Sequence, residues 1–265
     1  MAITRDLAEL LSQQMATGTG SARVAFGGKS SAFAWCSDKV NGLIAYVDTG
    51  VSQSMTFKAT KINRSADVEP WTTGEKTDTA VITVEDVALA VYPGAVEIKS
   101  RDILDTANLG SAVSTALYGQ ALRAMDKALI TDLLGTVPTV DAAASLATIA
   151  QAQAGLMANG FSPTLCAVSP TLYASLAGGS LLVGANDPQN EAQSVLGSRL
   201  VVSSALTGAQ AIVLDPSAVV AVEHESSPLV LMQTQARLNV VDLVVEVVGG
   251  WVIANSDGVS TVYLG

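Results

Sequence analysis

Residues able to do chemistry are few in this chain and widely separated. The best-formed group is Asp48-Thr49-Gly50, which follows the apolar run Leu43-Ile44-Ala45-Tyr46-Val47. An Asp-Thr-Gly after an apolar strand can present a catalytic carboxylate that shares one proton with a second, because two adjacent like charges cannot both ionise. One such tripeptide is present, so a dyad needs two copies of the chain; the plain alternative is a turn after a strand. Gly27-Gly28-Lys29-Ser30 has the tail of a phosphate loop, but the position that must hold the loop's first glycine is Arg23. The single histidine, His224, stands between Glu223 and Glu225. With no second histidine, a zinc site of the usual ligand types is not expected. Cys36 and Cys166 make no disulfide framework, and Cys166 sits in the apolar run Thr164-Leu-Cys-Ala-Val168, as a small core residue does. No Gly-x-Ser-x-Gly elbow occurs. The sequence therefore predicts no catalytic, cofactor-binding or metal-binding residue, and a structural protein rather than an enzyme.

Bulk composition points the same way. The chain of 265 residues is 49% hydrophobic but only 14% charged, against a usual quarter. Residues 142–186 carry no charged side chain. So uncharged a surface is poorly protected from association, which predicts burial against other chains. The net charge of −10 and the lack of a basic run argue against a surface that wraps nucleic acid. Residues 238–255 are the most apolar stretch, but Asp242, Glu246 and two glycines interrupt them, where a membrane span needs about 20 clean apolar residues. The N-terminus has charges inside its apolar run and is no signal peptide. These features predict a chain made in a reducing cytoplasm.

The element that must position everything else is a long helix. Val113, Ala116, Leu117, Ala121, Ala124, Met125, Ala128, Leu129 and Leu133 recur at intervals of three and four, the helical period. The pattern predicts a helix over 111–134, about 36 Å long, with Gly110 breaking the chain before it, Gly135 at its left-handed end and Pro138 barring continuation. Upstream, 95–98 reads as a strand stopped at Ser100, which caps a short helix. Residues 4–15 form an amphipathic helix, and 22–47 an extended arm ending in strand 43–47. Residues 54–62 and 80–92 pair as a hairpin around a polar segment, 63–79, that contains Trp71. Downstream, Asp141 caps a helix ending at Asn159-Gly160, 164–168 is a buried strand, and Ser169-Pro170 starts a short helix ending at Gly178-Gly179. Residues 180–196 form a loop. Short strands follow at 199–203, 211–214, 218–222 and 229–232, then a longer set at 236–248 and 251–254 beyond Gly249-Gly250. Helix and strand interleave without a βαβ rhythm, so the fold class is α+β.

The order of these pieces resembles the major capsid proteins of tailed bacteriophages, whose Hong Kong 97-like fold encapsulin shells share. Pro70-Trp71-Thr72-Thr73-Gly74-Glu75 resembles the tryptophan–glycine–glutamate turn of their extended hairpin, or E-loop. Residues 81–105, ending Glu97-Ile-Lys-Ser-Arg-Asp-Ile-Leu-Asp105, resemble the strand and short helix before the spine helix, and 111–134 the spine helix itself. Residues 149–176, with Gly160-Phe-Ser-Pro163 and Val168-Ser-Pro170, are similar to the helix–strand–helix passage of the axial domain. Leu196-Gly-Ser-Arg-Leu-Val-Val-Ser203 and the strands ending Gly249-Gly250-Trp251 resemble the passages that follow.

The resemblance implies an N-terminal arm (1–42), an extended hairpin with flanking strands (43–92), a peripheral domain (93–139 and 216–265) and an axial domain (140–215). It implies assembly through pentamers and hexamers into an icosahedral head around double-stranded DNA, without sequence-specific binding or a membrane. The head would form in the host cytoplasm and become part of the virion. Trp71, Glu75, Lys76, Leu181 and Leu182 are the assembly-contact candidates. About 40 residues precede the core, so any scaffold is expected from a separate protein, beside portal and decoration proteins. Lys58, Lys61 and Lys76 match no crosslinking lysine, and no crosslinking is implied. An encapsulin-type compartment is the alternative, and a homodimeric aspartic protease using Asp48 the remaining one.

Overall fold

The computed structural model describes residues 22–25, 42–64, 80–99, 109–178, 194–235 and 237–263. In chain order the elements are β1 (Ala22–Ala25), β2 (Asp48–Ser52), β3 (Thr56–Arg64), β4 (Ala80–Ala88), β5 (Ala90–Lys99), α1 (Leu109–Thr136), β6 (Thr139–Asp141), α2 (Leu146–Ala158), β7 (Leu165–Val168) and α3 (Pro170–Gly178). Then come β8 (Ser194–Val195), β9 (Ser198–Val202), β10 (Ala211–Leu214), β11 (Val219–His224), β12 (Leu229–Gln235), β13 (Val240–Ile253) and β14 (Val259–Tyr263). The class is α+β.

The first sheet runs β1-β12-β13-β11-β2, with β5 paired to the other side of β13. β13 alternates in the manner of a strand with one dry face. Leu243, Val245 and Val247 point into a core shared with Leu117, Leu122, Met125 and Leu129 of α1. The second sheet runs β6-β14-β10-β7-β9-β8. β7 and β10 are buried at every residue because both faces of this sheet are covered. Leu165, Ala167, Ile212 and Leu214 join the main core, while Cys166, Val168 and Val213 pack with Ile149, Leu156, Leu172 and Leu176 of α2 and α3. That explains continuous apolar runs where a one-sided strand would alternate. β14 lies in the second sheet, beside β10.

Several sequence expectations need correction. Leu43–Ala45 is a 3-10 turn, not a strand. Leu43 and Ile44 are fully buried, and a turn lets neighbouring side chains both point inward where a strand would send one out. The long helix runs 109–136 rather than 111–134, through both glycines expected to bound it. Gly110 lies in the first turn, where backbone N–H groups lack helical partners in any case. Gly135 is a C-terminal residue of the helix, which ends just before Pro138. Asp141 closes β6, and the cap of α2 is Ser145 in a box with Thr148. Ser145 Oγ accepts the Thr148 N–H at 3.3 Å and Thr148 Oγ1 accepts the Ser145 N–H at 2.7 Å. Gly249 and Gly250 do not divide two strands but lie inside β13. A Cβ at Gly249 would stand 2.7 Å from Met125 Cε and 3.0 Å from the Val222 carbonyl oxygen. The Ser169 cap, the Gly160 end of α2 and the antiparallel hairpin β3–β4 stand as expected.

Gly94 lets β5 approach α1 closely. A Cβ there would meet the Leu117 carbonyl oxygen at 2.8 Å and Leu117 Cβ at 3.0 Å. Backbone cannot step aside as a side chain can. Gly94→Ala is therefore expected to lose about 2 kcal/mol, read as a lower midpoint in urea denaturation with an unchanged slope.

Candidate assembly surfaces

Within one chain the candidate enzyme residues stand in separate elements. Asp48, Thr49 and Gly50 are ladder members of β2, paired in parallel with Val220, Ala221 and Val222, rather than a loop that presents a carboxylate. His224 Nδ1 accepts the Ser226 N–H at 3.1 Å. The Cys166 thiol is fully buried, and burial pushes it up to about 12, so it holds its proton. Among the described residues no group of three or more His, Cys, Asp or Glu is placed to hold a metal ion. Among the described residues no helix is long and apolar enough to cross a membrane. Gly27, Gly28, Lys29, Ser30 and Cys36 lie outside the described residues, as do all five assembly candidates, Trp71, Glu75, Lys76, Leu181 and Leu182.

What the fold does build is a long helix, α1, packed into the main core, and a two-stranded hairpin, β3–β4. The hairpin carries Ile82 and Val84, 66% and 61% exposed, on one face of a two-stranded sheet. A lone two-stranded ribbon has no core of its own. Its root is held where Leu89 packs with Val222 and Val248, and where the Leu89 N–H donates to the Met55 carbonyl at 2.8 Å. A Lys61–Glu85 pair at 2.6 Å crosses the ribbon, a surface contact worth little.

Asp126 ties the spine to its surroundings. It lies on the inner side of α1, only 4% exposed. Its Oδ1 accepts the Ile44 N–H at 3.0 Å and its Oδ2 the Ser203 hydroxyl at 3.1 Å. One carboxyl thus joins the helix, the turn that leads toward the hairpin and the end of β9. Burial pushes this carboxyl above the usual carboxylate range, against the lowering pull of the Ile44 N–H, the Ser203 hydroxyl and the Leu43 N–H. Nearby, the Arg199 guanidinium lies 4.2 Å over the Tyr46 ring, a second tie between β9 and the same turn. Further along α1, Asp132 Oδ2 accepts the Trp251 Nε1–H at 2.8 Å and the Leu134 carbonyl accepts the Tyr263 hydroxyl at 3.0 Å. The role of Asp126 was not foreseen, although a signal existed: it falls on the same helical stripe as Leu122, Leu129 and Leu133.

The outer faces of α2 and α3 carry no charge. Ala147, Ala150, Gln151, Ala154 and Met157 face outward on α2, and Thr171, Ala174 and Ser175 on α3; Met157 is 59% exposed.

No protein-family model matches the chain, and no curated protein sequence does. Solved structures do match. A chain from Microbacterium phage Oxtober96 is similar with a TM-score of 0.61 at 14% identity, over 83% of this chain and 90% of that one. The holo-SrpI encapsulin complex from Synechococcus elongatus matches with a TM-score of 0.61 at 11% identity, over 96% and 94%. The capsid of an empty GTA particle matches with a TM-score of 0.60 at 11% identity, over 96% and 98%. The chain has the Hong Kong 97-like capsid fold.

Proposed function

We propose that this chain is the repeating subunit of a closed protein shell, the major capsid protein of a tailed bacteriophage. The observation that carries the reading is likeness of fold over nearly the full length of shell-forming chains. The charge-free outer faces of α2 and α3 support it, because they can be buried against a second copy without desolvating a charge. In this reading residues 140–215 are the axial domain, meeting copies around five- and six-fold axes, with Leu181 and Leu182 at that contact. Residues 93–139 and 216–265 are the peripheral domain. Residues 43–92 form an E-loop that lies over a neighbour, with Trp71, Glu75 and Lys76 near its tip, and residues 1–42 an arm that reaches another. Such contacts are heterologous and close when the rotation permits; their number, rather than the strength of any one, holds the shell. Scaffold, portal and decoration proteins, the host cytoplasm as assembly site and a packaged double-stranded genome belong to the same reading.

Sedimentation velocity tests it. The wild-type chain is expected to sediment as large closed particles, and Trp71→Ala as a folded subunit with assembly impaired at least tenfold. A Trp71→Ala chain that unfolds places Trp71 in a core and overturns the E-loop assignment. The second reading, an encapsulin-type compartment, is supported by the SrpI encapsulin comparison, which covers 96% of this chain, as the GTA capsid comparison also does. Particle contents separate the two: nucleic acid for a capsid, a protein cargo for a compartment.

A further inference from the structure

Gly42 to Tyr46 is the short turn through which the N-terminal part of the chain joins the main body. Among the described residues it pairs with no strand. Its backbone closes only on itself, with the Ala45 N–H donating to the Gly42 carbonyl at 3.3 Å and the Tyr46 N–H to that of Leu43 at 3.0 Å. What fixes it to the body is the burial of Leu43 and Ile44, the Arg199 guanidinium over Tyr46, and the Ile44 N–H bond to Asp126 Oδ1. The same turn keeps water off Asp126. A Cβ on Gly42 would stand 3.1 Å from both Cγ and Oδ1 of that carboxyl, so bare backbone lies directly against it. Opening the turn therefore removes hydrogen-bond donors and hydrates the carboxyl in one movement. On the other side, Ser203 can serve either charge state. Its hydroxyl donates to Oδ2 of a carboxylate at 3.1 Å, and its Oγ accepts the Ala205 N–H at 3.2 Å, with a second lone pair able to accept from a neutral carboxyl. Charged groups on the neighbouring elements are set apart from this contact. Arg123 and Lys127 of α1 and Asp48 of β2 are exposed, and Arg199 of β9 lies over Tyr46. The acids of β5 and β13 lie on the far face of the first sheet, and Glu223 of β11 is buried. Among the described residues, burial and hydrogen bonds set the ionisation of Asp126.

We propose that Asp126 is a proton-operated latch on this junction: neutral, it holds the turn at 42–46 closed on α1 and β9; ionised, it lets the turn open while the helix and both sheets stay folded. In the open form the carboxyl is hydrated and has its ordinary value of about 3.9. In the closed form burial holds it higher. The closed turn thus binds the proton more tightly. It is favoured most in acid, and that advantage is lost as pH rises through the closed-state value. A turn without ladder bonds opens at the low-energy end of local unfolding, so the rest of the fold need not follow. One consequence rests on the shell reading above: the turn is the root of the arm at 1–42, and acid holds that arm in a single setting for assembly.

Hydrogen exchange of the full-length chain reads the latch in the subunit itself, whether or not shells form. The amides of Leu43, Ile44 and Ala45 are followed, with protection expressed over the intrinsic exchange rate at each pH. In the wild type, protection there is expected to be greatest in acid and to fall by up to about tenfold per pH unit above the closed-state value, while the amides of Leu129 and Ile130 in α1 do not change. Asp126→Asn carries a neutral amide that can accept from Ile44 and donate to Ser203, and its protection is expected to be flat over the same range. Ser203→Ala removes a donor to the ionised form, so its fall is expected to begin at higher pH. A flat wild-type profile overturns the inference. So does a fall that Asp126→Asn retains, or one that spreads equally to Leu129 and Ile130. Should Asp126→Asn fail to fold, the onset in Ser203→Ala decides alone, and an onset that does not move overturns the latch. A wild-type chain that forms no particles overturns the shell reading and leaves the exchange result standing.

Discussion

Ala121→Pro is expected to abolish the folded chain. Ala121 lies near the middle of α1 and is 1% exposed. Proline there removes the N–H that bonds the Leu117 carbonyl and drives its ring into that same carbonyl, at about 3 kcal/mol or more. A kink has no room to form, because Gly94 of β5 already approaches Leu117 as closely as a residue without a side chain can. The helix also supplies the largest share of the main core, from Leu117 through Leu133. Against a whole-domain stability of about 5–15 kcal/mol, loss of that packing leaves little. Circular dichroism and urea denaturation check it; a cooperative transition near the wild-type midpoint would refute a continuous helix.

Asp126→Ala is expected to cost about 3 kcal/mol or more, and Asp126→Asn much less. Alanine leaves the Ile44 N–H and the Ser203 hydroxyl buried without their acceptor, and each such group costs about 1–3 kcal/mol. Asparagine keeps an acceptor for Ile44 and can donate to Ser203 Oγ. The pH dependence gives a separate check. Burial raises the folded-state pKa of this carboxyl above its unfolded value, which is about 3.9. Its contribution is then fully present below the unfolded pKa and is lost as pH rises through the folded one. Wild type should gain most over Asp126→Asn in acid, and that advantage should shrink as pH rises. Urea midpoints across that range measure it; an advantage that grows with pH would mean that Asp126 is held as a favoured carboxylate instead.

The long helix was legible because its apolar residues follow one period for six turns, a signal that survives ignorance of its partners. Its ends were not, because Gly110 and Gly135 act as breakers only where nothing else decides, and here the terminal turns continue through them. The turn at Leu43–Ala45 was misread for the same reason that β7 and β10 were read correctly. An apolar run reports burial, and burial alone does not distinguish a strand between two layers from a turn tucked under a helix. Gly249-Gly250 looked like punctuation. Their purpose is close approach to Met125 and to Leu89, which is visible once strand and helix are brought together. Of the assembly surfaces, the charge-free stretch was plain in the sequence, while the inward hydrogen bonds of Asp126 and Asp132 needed the rotational setting of α1. Trp71, Glu75, Lys76, Leu181 and Leu182 remain proposals drawn from resemblance.

Electron microscopy of the purified full-length chain, negatively stained, tests the shell most directly. The account predicts closed particles or regular tubes far larger than one subunit, from the chain alone or when co-expressed with the proteins encoded beside it. Monomers or small dimers under both conditions, at every concentration reached, would contradict it.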